Sequence, residues 1–366
     1  MVSTDIVAKH RFVVLDGMRG LAALAVICDH VPSEFMRALL PARYLAVDFF
    51  FVLSGFVLMH VYGQRLASGM STLSFMRVRL IRLYPLYFLA ILASAVMAAI
   101  SIMRGWEPGP LSHVFTALAF ALVLLPCPPG LSLWPGAPFP LNGPSWSLFF
   151  ELFINAVFAL IARWLTPALC ILFMAVGGGG LALATFAGID AGGHAWGNFA
   201  GGFLRVSFSF FAGVGIYMMR ANRRLPALPA WAAFAVLFIA LAMPAPEGWR
   251  QIVDLGVVLF IFPPLVALSA DSSVSGRLMH ASAFVGLVSY GVYILHVPLF
   301  SWLRLTLQYF GVYDAMPGVA LVFLTAAAAV AATALLHVVY DLPVRRFLSR
   351  LGRRESRERA GPEAAS

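Results

Sequence analysis

Arg19 and His30 stand eleven residues apart inside one apolar run, LDGMRGLAALAVICDH. Eleven steps of about 100° return nearly to the starting face of an α-helix and climb roughly 16 Å. One helix therefore turns a guanidinium and an imidazole to the same side at two depths. The next apolar run, VDFFFVLSGF, opens with Asp48, at a depth like that of His30. A carboxylate beside an imidazole fixes its tautomer and raises its basicity; capping the helix N-terminus is the alternative role for Asp48. In PSWSLFFELFIN, Ser147, Glu151 and Asn155 recur every four residues as one polar stripe, with Glu151 toward the His30 end. Arg77, Arg79 and Arg82 precede Leu83-Tyr84-Pro85. Arg79 and Arg82 share a helix face and suit an anion site for a phosphate-bearing cofactor, or else anchor the chain's topology. In SYGVYILHVP, Ser289 and His296 lie seven apart on one face with Tyr293 beside it.

An ionisable group at the centre of a membrane helix costs about 2.5–3.5 kcal/mol on insertion scales, so each of these residues is a functional candidate. They sort by depth. Arginines (Arg19, Arg79, Arg82) gather at one level, while His30, Asp48 and Glu151 gather at the other. A donor with phosphates and a long arm, bound at the first level, would deliver its group to the second. A small-molecule or proton-coupled transporter or exporter would also use such groups as a relay. Against it stand the lack of an inverted repeat and of paired broken helices.

The elements that position these residues follow from hydropathy. The chain is 61% hydrophobic and 11% charged, where a soluble domain carries roughly a quarter charged residues, so its surface faces lipid. Apolar spans fall near 12–34, 44–62, 80–103, 145–165, 168–188, 203–220, 229–243, 251–270, 283–306 and 316–340. A shorter stretch near 111–125 precedes PCPPGLSLWPGAPFPLNGP, which cannot be continuous helix. With that stretch uncounted and the N-terminus (Lys9, Arg11) in the cytoplasm, the inner loops hold Arg65, Arg77, Arg79, Arg163, Arg220, Arg223, Arg224 and Arg277. The tail adds Arg345, Arg346, Arg350, Arg353 and Arg354, and the outer loops keep Arg37, Arg43, Arg104 and Arg250. Counting 111–125 as a span would invert this arrangement, against the positive-inside rule.

The expected fold is thus an all-α polytopic membrane protein, a bundle of about ten transmembrane helices with both termini cytoplasmic. Residues 1–350 form one integral membrane domain, 351–366 a disordered charged cytoplasmic tail, and 104–144 a long outer loop. Trp106, Trp134 and Phe139 of that loop suit sugar stacking or an interfacial belt equally. The N-terminal run reads as a retained first helix rather than a cleaved leader. The net charge of +9 is explained by topology, so no nucleic-acid partner is expected. Cys28, Cys127 and Cys170 have no metal-ligand spacing and imply no disulfide framework.

Six segments in order, LDGMRGLAALAVICDH, VDFFFVLSGF, FMRVRLIRLYPLY, NGPSWSLFFELFIN, SYGVYILHVPLF and DLPVRRFL, resemble the membrane-bound acyltransferase family 3 across nearly the whole chain. The resemblance implies a multi-pass protein of the bacterial inner membrane. Its activity would be O-acylation, most simply O-acetylation, of a carbohydrate or glycolipid hydroxyl, such as an exopolysaccharide or lipopolysaccharide unit. Acyl-CoA, acetyl-CoA foremost, would be the cytoplasmic co-substrate, with no metal. It implies His30 as the catalytic histidine, with Glu151 and Asp48 supporting its charge, and Arg19, Arg79 and Arg82 at the donor. Ser289, Tyr293, His296, Trp146 and Asn142 would bind substrate. His30 would act either as general base or as the carrier of an acyl group. Some members of that family carry a fused extracytoplasmic hydrolase-like domain, which is not expected here.

Overall fold

The computed structural model describes residues 12–223 and 225–359, which are helical with no strand among them. The order is α1 (Val13–His30), α2 (Glu34–Leu39), α3 (Ala46–Ala67), α4 (Thr72–Met103), α5 (Leu111–Leu122) and α6 (Ser145–Ile161). Then come α7 (Pro167–Phe186), α8 (Phe199–Asn222), α9 (Ala230–Leu241), α10 (Arg250–Ser269), α11 (Gly276–Tyr309), α12 (Gly318–Leu336) and α13 (Leu342–Arg359).

Each of the ten spans expected from hydropathy coincides with a helix. Among the described residues, eight helices are long and apolar enough to cross a membrane: α3, α4, α6, α7, α8, α10, α11 and α12. The other two are α1, which carries Asp16, Arg19 and Asp29, and α9, of 12 residues. The doubtful stretch forms α5, also 12 residues and well short of the roughly 20 a span needs. Tyr84 and Tyr87 of α4 hold it by donating to the carbonyls of Leu122 (2.8 Å) and Ala121 (2.7 Å). The charged tail is helical as far as Arg359; residues 360–366 lie outside the described residues.

Packing depends on small residues, as helix contacts in lipid do. The central pair is α1 against α11. A Cβ on Gly20 would overlap Val285, and one on Gly286 would overlap Asp16. The pair α3 and α8 is as tight: a Cβ on Gly55 would run into the Phe210 carbonyl, and one on Gly213 into that of Val52. These two contacts bring the ionisable groups of α1, α3, α8 and α11 into one interior.

Candidate active site

Arg19 and His30 open onto two different cavities, as their spacing along α1 requires. The first cavity encloses about 240 Å³ and includes Arg19, Arg79, Arg82 and Arg345 in its wall, with the carboxylates Glu151 and Asp341. Arg19 Nε donates to Ser289 Oγ (2.9 Å) and its Nη2 to the Gly286 carbonyl (2.7 Å), with Asp16 at 2.8 Å. Arg79 is buried and meets Glu151 Oε1 at 2.6 Å; Ser54 Oγ donates to the same oxygen at 3.1 Å. A π-turn at His337–Asp341 carries Asp341 against Arg345 (2.7 Å) and His337 (3.2 Å). Arg82 is exposed and makes no ion pair among the described residues. With Asp16 counted, four guanidiniums face three carboxylates, so the region keeps an excess of positive charge, and among the described residues the buried Arg79 Nε has no acceptor. A phosphate-bearing group fits that deficit of acceptors.

The second cavity encloses about 560 Å³; its wall includes His30, Asp48, Trp146, Arg205 and Asp254. Asp48 is fully buried and held through both its oxygens by one edge of Arg205, Nε to Oδ1 at 2.9 Å and Nη2 to Oδ2, while Nη1 donates to the Gly192 carbonyl. The same guanidinium lies over the Trp146 ring, 5.3 Å from its centroid. Tyr44 and Arg250 both bond to Asp254.

Hydrogen bonds fix the protonation of His30. His296 Nδ1 lies 3.1 Å from the Val292 carbonyl, which can only accept, so Nδ1 carries the proton and Nε2 is left as an acceptor. His30 Nδ1 lies 3.1 Å from that Nε2 and 3.2 Å from the Val26 carbonyl, two acceptors. His30 Nδ1 therefore also bears its proton, and the lone pair is on His30 Nε2. That atom faces Gly143, where a built Cβ would stand 3.9 Å away. A histidine donating through Nδ1 and open at Nε2 is set up as a base or nucleophile.

Tyr293 belongs to the walls of both cavities. Its hydroxyl is 2.6 Å from Ser147 Oγ and donates to the Pro144 carbonyl at 3.2 Å, which pins α11 to the start of α6 between the two chambers.

The structure corrects two expected neighbourhoods. Glu151, expected at the level of His30, lies in the first cavity with Arg79. The helix α6 begins at Ser145, and six residues at about 1.5 Å each carry Glu151 some 9 Å down from that end. Asp48 does share the cavity of His30, but its carboxylate is taken up by Arg205, and the imidazole's neighbour is His296. Arg19, Arg79 and Arg82 do converge, joined by Ser289. Trp146 and Tyr293 reach the second cavity. Asn142 is in the wall of neither chamber and donates to the Ile294 carbonyl at 2.9 Å.

Arg205 escaped the sequence reading, and Arg345 entered it only as a basic residue of the tail. Arg205 stands inside the span 203–220, where an intramembrane arginine is itself a signal. The π-turn that rotates Asp341 and His337 inward leaves no mark in hydropathy. The three cysteines are free and buried, and burial pushes the Cys127 thiol above its usual range.

Comparison with known proteins gives two matches. The profile of the acyltransferase family 3, described as an acyltransferase domain, matches residues 12–338. "Protein 2 in picA locus" of Rhizobium radiobacter is 46% identical over 170 residues, 42% of this chain and 82% of that protein. No solved structure matches.

Proposed function

The chain belongs to the acyltransferase family 3, and from that premise we propose that it moves an acetyl group from cytoplasmic acetyl-CoA to a carbohydrate hydroxyl on the far side of the membrane. The observation that carries this reading is the pair of cavities on one helix: a cationic one at Arg19 and one at His30 whose Nε2 lone pair is unengaged. In this reading the arginine cavity lies toward the cytoplasm, in a bacterial inner membrane, and the histidine cavity toward the acceptor.

Arg79, Arg82 and Arg345 hold the donor's phosphates, with Arg19 beside them, and the thioester arm extends past Tyr293 toward His30. His30 Nε2 removes the proton of the acceptor hydroxyl as its oxygen attacks the thioester carbonyl. The tetrahedral centre collapses with cleavage of the C–S bond. The leaving sulfur takes the proton from the imidazolium, so an ester and a free thiol are formed and His30 returns to its starting state. His296 accepts the Nδ1 hydrogen bond throughout and keeps the reactive nitrogen toward the acceptor. Asp48 shapes the acceptor chamber through Arg205 and Trp146, and Glu151 holds Arg79 in the donor chamber.

The test is a comparison of surface glycan from host cells with the wild-type protein, with His30→Ala and with neither. An acetyl mass increment that depends on the protein and on His30 is the expected result. Glycan of identical mass in all three would overturn the assignment of acceptor.

A further inference from the structure

Resting on that reading, we infer that the acceptor is a glycan chain acylated at an internal unit. Its reacting hydroxyl sits at Gly143, and its flanking sugars lie in two cavities that meet there. The first is the histidine cavity. The second encloses about 880 Å³ between α4, α11 and the 104–144 loop; its wall includes Trp106, Trp134, Phe300, Arg304, Gln308 and Tyr313. Gly143 lies in the walls of both. A Cβ there would come within 4 Å of His30 Nε2 and of no other heavy atom beyond its chain neighbours. The reactive nitrogen therefore faces a junction between two chambers rather than the blind end of one.

Each chamber lies within the roughly 300–1,000 Å³ that holds a drug-sized ligand, so one sugar ring would leave one of them empty. Both have the same chemistry, an aromatic face with a guanidinium over it: Arg205 above Trp146 at 5.3 Å, and Arg304 above Tyr313 at 5.6 Å. Aromatic faces, with donors such as Arg304 and Gln308 in the second chamber, suit the alternating apolar faces and hydroxyls of successive sugars. A chain that reacts only at its end needs one chamber. A chain that runs through both reacts in its interior.

The experiment uses the full-length protein and the surface glycan purified from its host. Fragments of glycan acylated by the wild-type protein are sequenced by tandem mass spectrometry; acyl groups on internal units are expected. Gly143→Leu, whose side chain would cover His30 Nε2, should lose glycan acylation while acetyl-CoA still raises its melting temperature as it does for wild type. The double variant W134A/R304A should raise the KM for glycan at least tenfold, with kcat within twofold. Acyl groups confined to chain ends, or wild-type rates in Gly143→Leu, would overturn the inference and leave the acyltransferase reading intact. If wild-type protein releases no thiol from acetyl-CoA in the presence of glycan, the proposed function itself fails, and this inference with it.

Discussion

His296 has no lone pair or proton to offer a substrate directly, because both of its nitrogens are engaged, with Val292 and with His30. Its contribution is therefore to position His30. His296→Leu should slow transfer by about tenfold, the scale of one hydrogen bond worth at most ~1.5 kcal/mol net, since Val26 still holds the tautomer. His296→Gln supplies an amide oxygen in place of Nε2 and should recover most of that rate; equal rates in the two variants, read by thiol release, would contradict the positioning role. The ion pair of Asp48 and Arg205 is a structural matter. Removing one partner strands a buried charge, which costs about 3–5 kcal/mol. Asp48→Leu and Arg205→Leu should each lower the melting temperature in detergent sharply, and the double variant should lie above either single one. At this scale the sequence was informative about residue type. Arg19, His30 and His296 stand out because ionisable groups in apolar runs are conspicuous, but which partner each side chain takes depends on rotation between helices, and hydropathy carries no information on that.

Helices were the most legible elements, since runs of apolar residues marked where the expected spans lie, and the Pro-rich stretch after α5 marked its limit. Interhelical distance was less legible. Gly55 and Gly213 sit in apolar runs like several other glycines of the chain, yet their backbones nearly touch their neighbours. Gly55→Val should fail to fold or melt far below wild type, since overpacking a tight contact costs about 1–3 kcal/mol or more. Gly179, in α7, has open space around its would-be Cβ. Gly179→Ala should leave the melting temperature unchanged or raise it, helix propensity favouring alanine by about 0.8–1.0 kcal/mol. Melting curves of the two purified variants check both statements. The inward turn of Asp341 belongs here too: a π-turn changes the face on which every later residue sits, so period-3.6 reasoning misplaces them.

At the scale of the whole molecule the account concerns sidedness. The cationic chamber at Arg19 and the chamber at His30 are separate cavities with Tyr293 in the walls of both, and the proposed function assigns donor to the first and acceptor to the second. Among the described residues Arg82 has no carboxylate partner to strand, so Arg82→Ala should raise the KM for acetyl-CoA by about 10- to 100-fold, the scale of a charged hydrogen bond worth roughly 1.5–3 kcal/mol, and leave the melting temperature near wild type. The layering of cations and imidazole along α1 was visible in the Arg19–His30 spacing. The exchange of Glu151 from one chamber to the other was not, because its depth depends on where α6 starts relative to α1. The most direct measurement is thiol release from acetyl-CoA supplied only to the outside of sealed, inverted membrane vesicles that contain the host's own glycan. The account expects release with the wild-type protein, none in right-side-out vesicles, and a fall of about 10²–10⁴-fold with His30→Ala, the usual contribution of a positioned base. Equal release by wild type and His30→Ala, or release only in right-side-out vesicles, would contradict it.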